Sequence, residues 1–315
     1  MKKMPPGLCT GVCTIEAPCK INLHLGIGER RPDGFHDLES IFATLALSDT
    51  LRFERISGEG ESILSINHEI SGQALPVEQN LVLKAVSLFR ERTGFRAAFR
   101  IRLDKRIPAG AGLGGGSSDA ASTLLALNHL ADQPLSGGEL SEMAALLGSD
   151  VPFFLAGGAA FVSGRGERVE PVKSPQGLWV VLVQPPFSSD TSCAYRLLDR
   201  ERRPVREGLL GRRLSKKALI RALEDDPATW PFYNDFLPVF LEQGGTEAAA
   251  YRSVLENLRN SGASFAGLSG SGSCCFGVFT AEKMAKNAEK TLSSGKNNTI
   301  LTFFLAQKAN VVLLY

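Results

Sequence analysis

The feature that most constrains this 315-residue chain is a glycine-rich segment at residues 108–118. The preceding residues 97–103 alternate apolar and polar side chains, which predicts a half-buried strand. Residues 117–130 carry apolar side chains at helical spacing, which predicts a helix. A glycine-rich turn that leads into a helix can wrap backbone N–H groups around phosphate oxygens, and the helix dipole favours the negative charge. The segment therefore predicts a phosphate-binding loop.

The candidate nucleotide-binding residues are the eleven residues of this loop. They are Pro108, Ala109, Gly110, Ala111, Gly112, Leu113, Gly114, Gly115, Gly116, Ser117 and Ser118. We expect the backbone at Gly114 and Gly115 to approach phosphate, so that a side chain there costs nucleotide affinity more than stability. A flexible linker is the plain alternative, but linkers do not normally run into a helix with an apolar face.

Two other phosphate-binding loops fit this segment poorly. A Walker loop ends in Gly-Lys-Ser or Gly-Lys-Thr, and no lysine lies between Lys105 and the two serines. The spacing of Gly110, Gly112 and Gly115 matches the dinucleotide fingerprint, but the preceding strand is amphipathic, whereas a first Rossmann strand is continuously apolar. Asp132 stands at about the right distance but in a loop. A nicotinamide oxidoreductase is therefore not favoured.

Three polar residues elsewhere could promote transfer of a phosphoryl group to an alcohol. That reaction needs charge neutralisation, alignment and a proton acceptor. Residues 15–25 alternate as a strand, so Lys20 and Asn22 point the same way. Lys20 could contact the migrating phosphoryl group, Asn22 could orient the acceptor, and Asp150 could take the hydroxyl proton. Taken singly, each has an ordinary explanation, since an aspartate at a helix start is usually a cap and a strand lysine is usually solvated.

Three further side chains are candidates for substrate binding. His36 follows a Pro-Asp-Gly turn, which favours an exposed, functional side chain. Phe35 and Tyr195 are either core aromatics or platforms for a ligand.

Asp119 lies in the first turn of the helix after the loop, where its carboxylate must face away from a triphosphate or towards a cation. The sequence leaves both orientations open.

Composition excludes several classes of protein. A net charge of +2 with 22% charged residues gives no large field of the kind that binds nucleic acid or an anionic membrane. The apolar runs are too short to span a bilayer, and we expect a soluble, cytoplasmic protein. The six cysteines form no Cys-x-x-Cys pair, so we expect free thiols. A metal site at Cys9, Cys13 and Cys19 lacks a histidine at ligand spacing.

Three motifs together resemble those of the GHMP kinases, the superfamily of galactokinase, homoserine, mevalonate and phosphomevalonate kinases. They are Ala-Pro-Cys-Lys-Ile-Asn-Leu-His-Leu at residues 17–25, the glycine-rich loop with its Asp-Ala-Ala at residues 108–121, and Leu-Ser-Gly-Ser-Gly-Ser at residues 268–273. The resemblance spans nearly the whole chain. It implies an α+β fold with an N-terminal ribosomal-protein-like β-α domain, residues 1–173, and a C-terminal ferredoxin-like domain, residues 174–315. The active site is then expected in the cleft between the two domains.

Shorter motifs resemble those of GHMP kinases that act on a diphosphocytidyl-linked sugar alcohol in non-mevalonate isoprenoid biosynthesis. They lie at residues 31–37, 147–153 and 234–235. The resemblance implies ATP and Mg²⁺ as co-substrates and transfer to the 2-hydroxyl of the acceptor, with Lys20 and Asp150 as the catalytic pair. The metal ligands stay unassigned. A small-molecule substrate and a monomer or weak homodimer are expected.

The same resemblance implies a cytosine stacked between Phe35 and Tyr195 and recognised by His36. Phe35 stands where a tyrosine is usual, which keeps stacking but removes a phenol hydroxyl. In the third motif, Ser273 and Cys274 replace the commoner Pro-Thr. A GHMP kinase with a mevalonate-type or homoserine-type acceptor is the first alternative, and a catalytically silent nucleotide-binding regulator is the second.

Overall fold

The computed structural model describes residues 12–68, 80–201, 214–293, 295–306 and 311–314. Within these residues the first of two sheets has seven strands: β1 (Val12–Arg30), β2 (His36–Glu59), β3 (Ile63–His68), β4 (Ala97–Lys105), β5 (Ala159–Gly164), β6 (Arg168–Val172) and β11 (Val311–Leu314). The long strand β2 pairs with β1 along one edge and with β5 and then β4 along the other. Strands predicted at residues 15–25 and 97–103 correspond to parts of β1 and β4, so both predictions are confirmed.

The second sheet has four antiparallel strands: β7 (Trp179–Gln184), β8 (Phe265–Leu268), β9 (Cys275–Phe279) and β10 (Asn298–Phe303). Their spatial order is β10-β7-β9-β8. Helix α8 (Gly245–Asn260) precedes β8, and α9 (Glu282–Leu292) connects β9 to β10. This order and these connections give the ferredoxin-like βαββαβ arrangement that the resemblance implied. Strand β11 returns to the first sheet beside β1, and the boundary at residue 173 stays a prediction.

Four helices belong to the first half: α1 (Leu81–Thr93), α2 (Gly115–Leu130), α3 (Gly137–Leu147) and α4 (Val151–Ala156). Their ends follow from local chemistry. Asn80 accepts a hydrogen bond from the backbone N–H of Val82, and Gly94 adopts the left-handed conformation, with φ of 73°. Ser136 and Glu139 form a capping box. The ends of α1 and the start of α3 are therefore determined by residues next to them in the sequence.

Three further helices, α5 (Thr191–Glu201), α6 (Lys216–Ala222) and α7 (Phe236–Gln243), lie in the second half. Just before α7, Asn234 donates from Nδ2 to the carbonyls of Leu268 and Gly270, each at 2.8 Å. Asp235 accepts from the backbone N–H of Ile27 at 2.7 Å. These two side chains tie the third motif to β1, and so hold the two sheets together around one cleft.

Three points raised by the composition can be compared with the described residues. Cys13, Cys19, Cys193, Cys274 and Cys275 are free thiols, while Cys9 lies outside the described residues. Within the same residues no group of three or more metal-ligating side chains could hold an ion. In the part of the chain that the structure describes, no helix is long and apolar enough to cross a membrane.

Candidate active site

A cavity of about 250 Å³ lies between the glycine-rich loop and the third motif. It brings together residues from both halves of the chain. They are Lys20, Asn22, Leu25, Leu38, Phe42, Gly112, Gly114, Asp150, Thr191, Tyr195, Phe236, Gly270 and Ser271. The predicted catalytic residues therefore share one cavity with two loop glycines and the predicted aromatic.

Lys20 lies at the centre of this group. Its Nζ donates to Asn22 Oδ1 at 2.6 Å and lies 3.3 Å from Asp150 Oδ2. It also lies 4.7 Å from the centre of the Phe42 ring. The pairing of β1 with β2 is irregular between Pro18 and Lys20 and again just after Asn22, and such irregularities re-aim side chains along a strand. The lysine, 3% exposed, is thus a buried cation with contacts on several sides.

Asn22 is held in one orientation. Its Nδ2 donates to Ser40 Oγ at 3.0 Å, and Ser40 in turn donates to the carbonyl of His24. An amide whose N–H₂ is committed in this way must present its oxygen in the other direction, here towards Lys20. Asn22 therefore presents an acceptor to Lys20 before any substrate binds.

Asp150 stands at the start of α4 but does not cap it. Within the described residues its side chain makes no capping hydrogen bond. Pro152 occupies the second helical position and has no N–H to offer. The carboxylate instead faces Lys20 and is 32% exposed. The ordinary explanation of this residue as a helix cap is therefore wrong.

The glycine-rich loop turns its carbonyl groups into the protein. The six carbonyls of residues 109–114 accept hydrogen bonds from Gln184, Ser189, Cys274, Ser269, Lys20 and Ser118. Gly110, Gly112 and Gly114 have φ of 62°, 74° and 72°, which other residues adopt only at a cost. A loop anchored through its carbonyls and followed by a helix start is suited to bind an anion with its N–H groups.

Packing around the loop bears on the expectation that a side chain at Gly114 or Gly115 costs nucleotide affinity more than stability. A Cβ on Gly114 would lie 2.9 Å from Phe154 Cζ and 3.1 Å from Lys20 Cγ, and a Cβ on Gly115 would lie 3.1 Å from Ile107 Cγ2. A Cβ at Gly114 would overlap Phe154, and a Cβ at Gly115 would require Ile107 to shift slightly, so substitution at both positions is expected to cost stability as well as nucleotide affinity. At Gly116, by contrast, the nearest atom is Leu81 Cδ1 at 3.9 Å.

The carboxylate of Asp119 faces a cation, which settles the orientation that the sequence left open. Lys105 donates to Asp119 Oδ2 at 2.8 Å and also to Asp49. Asp49 accepts from the backbone N–H groups of Arg106 and Ile107 at 2.6 and 2.8 Å. Burial, with a further contribution from the charge of Asp49, outweighs Lys105 and raises the pKa of Asp119 to about 7. We call Asp49, Lys105 and Asp119 the charged triad.

The predicted substrate-binding side chains are only partly assembled. His36 is 6% exposed, so the expectation of an exposed histidine is wrong. Helix α5 covers it: the Tyr195 ring stacks on the imidazole at 5.0 Å and 21°, and Asp199 Oδ1 lies 2.7 Å from His36 Nε2. Phe35 is 50% exposed, with the Arg165 guanidinium 4.8 Å from its ring centre. A cytosine between Phe35 and Tyr195 stays a prediction.

Several side chains of the site were not found from the sequence. Ser269 donates to Gly112 and accepts from the N–H of Asn22, and its place in the third motif was a usable signal. Asp199 follows Tyr195 by four residues in a helix, a spacing that places both on one face. Ser40 and Asp49 carry no local signal, because only tertiary contacts bring them to the site.

Comparisons with known proteins agree with this geometry. Residues 80–158 match the GHMP kinases N terminal domain, and residues 226–295 match the GHMP kinases C terminal family. The 4-diphosphocytidyl-2-C-methyl-D-erythritol kinase of Treponema pallidum is 37% identical over 284 residues, which cover 89% of this chain and 94% of the relative. The chloroplastic kinase of the same name from Oryza sativa is 46% identical over 188 residues, 59% of this chain, and the match covers only 46% of that longer protein.

Solved structures give the same result. A crystal structure of 4-(cytidine 5'-diphospho)-2C-methyl-D-erythritol kinase aligns with a TM-score of 0.72 and 31% identity, over 95% of this chain and 98% of the other. A homoserine kinase from Cytophaga hutchinsonii aligns with a TM-score of 0.73 but 16% identity, over 99% and 100% of the two chains, and shares the fold. The chain thus belongs to the GHMP kinases, small-molecule kinases with a two-domain α+β fold, and within them to the 4-diphosphocytidyl-2-C-methyl-D-erythritol kinase family.

Proposed function

We propose that this kinase transfers the γ-phosphoryl group of ATP to the 2-hydroxyl of 4-diphosphocytidyl-2-C-methyl-D-erythritol, giving the 2-phosphate and ADP. The observation that carries the proposal is the position of Lys20 Nζ, 2.6 Å from Asn22 and 3.3 Å from Asp150, in a cavity lined by loop glycines. The names of relatives that align over most of the chain support the choice of acceptor.

In this proposal the nucleotide phosphates bind the N–H groups of residues 108–118 and the start of α2. The anchored carbonyls support this assignment, because they leave the opposite side of the loop backbone to the ligand. Mg²⁺ enters as part of the MgATP substrate, where it is usually bound by phosphate oxygens with one or two carboxylates. The protein ligands of the metal stay unassigned, because Asp150, the one carboxylate among the described residues that line the cavity, is proposed to accept the proton of the acceptor.

The chemical step needs three actions from the protein. Asp150 accepts the proton of the acceptor hydroxyl as that oxygen forms a bond to the γ-phosphorus. The bond from the γ-phosphorus to its bridging oxygen breaks, and ADP leaves with the electron pair. Lys20 stabilises the charge on the migrating phosphoryl group. Electrostatic stabilisation of this kind is a main source of catalysis in phosphoryl transfer. Asn22 orients Lys20 and the acceptor.

The acceptor is proposed to place its cytosine near Phe35, His36 and Tyr195, with its 2-hydroxyl at Asp150. Tyr195 lines the same cavity as Lys20, which supports one continuous acceptor site. We further propose that the enzyme acts in non-mevalonate isoprenoid biosynthesis, in the cytoplasm, as a monomer or weak homodimer, with its domain boundary near residue 173.

A panel of acceptors tests the proposal. ADP release is measured with MgATP and the diphosphocytidyl sugar alcohol, mevalonate, homoserine or a bare polyol, and the product is located by ³¹P NMR. We expect a phosphate ester at the 2-position of the diphosphocytidyl alcohol and a kcat/KM highest for that acceptor. Faster turnover of mevalonate or homoserine would show that the protein is a small-molecule kinase with a different acceptor. No ADP release with any acceptor would favour a silent regulator.

A further inference from the structure

Helix α5 contacts His36 in two ways at once. Tyr195 and Asp199 are four residues apart and so lie on one face of the helix. The tyrosine ring stacks on the imidazole, and the Asp199 carboxylate lies 2.7 Å from Nε2. The His36 side chain is 5% exposed and the Asp199 side chain 31%. The imidazole is therefore fixed both in plane and in the direction of its Nε2 atom.

The carboxylate also fixes where the ring carries its proton. An ionised carboxylate can only accept hydrogen bonds, so the Nε2 atom that faces it must be the protonated one. In the neutral ring the other nitrogen, Nδ1, then has a lone pair and can only accept. The partner of one ring nitrogen thus determines what the other nitrogen offers to a ligand.

This distinction matters for the base of the proposed acceptor. Cytosine carries an amino group at position 4, which donates, whereas uracil carries a carbonyl oxygen there, which accepts. A lone pair on Nδ1 pairs with the amino group and repels the carbonyl oxygen. Stacking cannot make the same distinction, because every base offers a π-face. A site with a fixed acceptor rejects the wrong base because a polar group would be left unpaired.

We infer that Asp199 is a specificity-determining positioning residue: by holding the proton on His36 Nε2, it leaves Nδ1 as the acceptor for the amino group of a cytosine. The inference rests on the proposed function, since it needs an acceptor that carries cytosine. The plain alternative is that Asp199 only fastens α5 to the start of β2.

Side-chain NMR of the free enzyme tests the tautomer directly. The full chain has four histidines, so long-range ¹H–¹⁵N spectra can be assigned with a His36→Gln variant. We expect His36 in the parent to show the pattern of a neutral ring protonated at Nε2. In Asp199→Asn the amide can donate or accept, so a ring protonated at Nδ1 should appear beside the form protonated at Nε2. A parent ring protonated at Nδ1, or doubly protonated, overturns the inference even if the variant does not fold.

Inhibition by CMP and UMP tests the consequence. The ratio of their inhibition constants against the acceptor should favour CMP in the parent and shrink about tenfold in Asp199→Asn, while kcat at saturating acceptor changes less than about threefold. Glu201→Gln is the matched control: it removes a carboxylate from the same helix that contacts Arg200 and Gln243 rather than His36. It should leave both readouts unchanged.

The outcomes separate the two proposals. An unchanged CMP to UMP ratio in Asp199→Asn, with the parent discriminating, overturns the role of Asp199 and leaves the proposed function intact. A parent that binds neither nucleotide overturns the cytosine-carrying acceptor, and the specificity role with it.

Discussion

Lys20 and Lys105 both lie beside the glycine-rich loop, but they belong to differently built regions. Lys20 lies in the cavity and pairs with one partly exposed carboxylate, Asp150. Lys105 sits against the start of α2, its Nζ 3.3 Å from where a Cβ of Gly115 would stand, and pairs with two carboxylates that are 0% and 3% exposed. One carboxylate that water can reach balances the first cation, whereas two buried carboxylates balance the second.

This difference predicts that the two lysines serve activity and stability separately. A single carboxylate that water can still reach leaves the Lys20 charge available to a phosphoryl group. In the described part of the chain, Lys105 is the only side-chain cation that pairs with the two buried carboxylates. One carboxylate oxygen, Asp119 Oδ1, has no hydrogen-bond partner among these residues. The matched replacement of each lysine by methionine tests the separation, since methionine retains most of the volume.

Lys20→Met should show the largest effect on catalysis. We expect kcat to fall by about 10²–10³-fold, because a preorganised charge aimed at the transition state is lost. The free energy of unfolding should fall by only about 1–2 kcal/mol, since Asp150 can turn to water. Steady-state kinetics and urea unfolding measure the two quantities. A variant with normal kcat would show that the cation in the cavity is structural.

Lys105→Met should show the reverse. Breaking a buried ion pair by removing one partner costs about 3–5 kcal/mol, because the remaining charges have no compensation. We expect a loss of that size in urea unfolding, with kcat of the folded fraction within about threefold of the parent. A stable variant with a strongly reduced kcat would instead assign Lys105 to the chemistry.

The pH dependence of the free energy of unfolding gives a further test of the triad of Asp49, Lys105 and Asp119. Burial raises the pKa of Asp119 to about 7 in the folded protein from an ordinary value of 3.8. A raised folded-state pKa gives stability that is fully present below about pH 4 and is lost as the pH rises towards 7. The stability of the parent relative to Asp119→Asn should therefore fall between pH 4 and 7 and level off above that. A difference that does not vary with pH would contradict the raised pKa.

The smallest effects are expected within the loop. Gly116→Ala makes only an ordinary van der Waals contact with Leu81 and should raise stability by about 0.5–1 kcal/mol, while any loss of ATP affinity would report contact with phosphate. Gly114→Ala should lower stability by about 1–2 kcal/mol, because its φ of 72° is left-handed. Isothermal titration with ATP and thermal unfolding give both quantities. Equal stabilities for the two variants would show that the loop relaxes around a side chain.

Local chemistry made much of the fold predictable. The caps at Asn80, Gly94 and Ser136 depend on a few neighbouring residues, so the sequence contains the whole cause. The common face of Lys20 and Asn22 followed from strand periodicity in the same way. These features need no knowledge of the tertiary structure.

Features that depend on distant contacts were not predictable. The triad joins residues 49, 105 and 119, which lie on two strands and a helix, and no pattern in the sequence relates them. The burial of His36 was missed because a Pro-Asp-Gly turn normally leads to the surface, whereas α5 covers this one. A helix some 160 residues later in the chain decides the environment of that histidine.

Single-turnover kinetics of Asp150→Asn test whether the cavity that holds Lys20 and Asp150 performs phosphoryl transfer. Enzyme in excess over MgATP is mixed with the diphosphocytidyl alcohol and quenched, and the chemical step is read from the appearance of ADP. Positioned proton transfer contributes about 10²–10⁴-fold, so the step should slow by that factor while ATP binds with unchanged affinity. A chemical step as fast as that of the parent would show that Asp150 takes no part in the transfer.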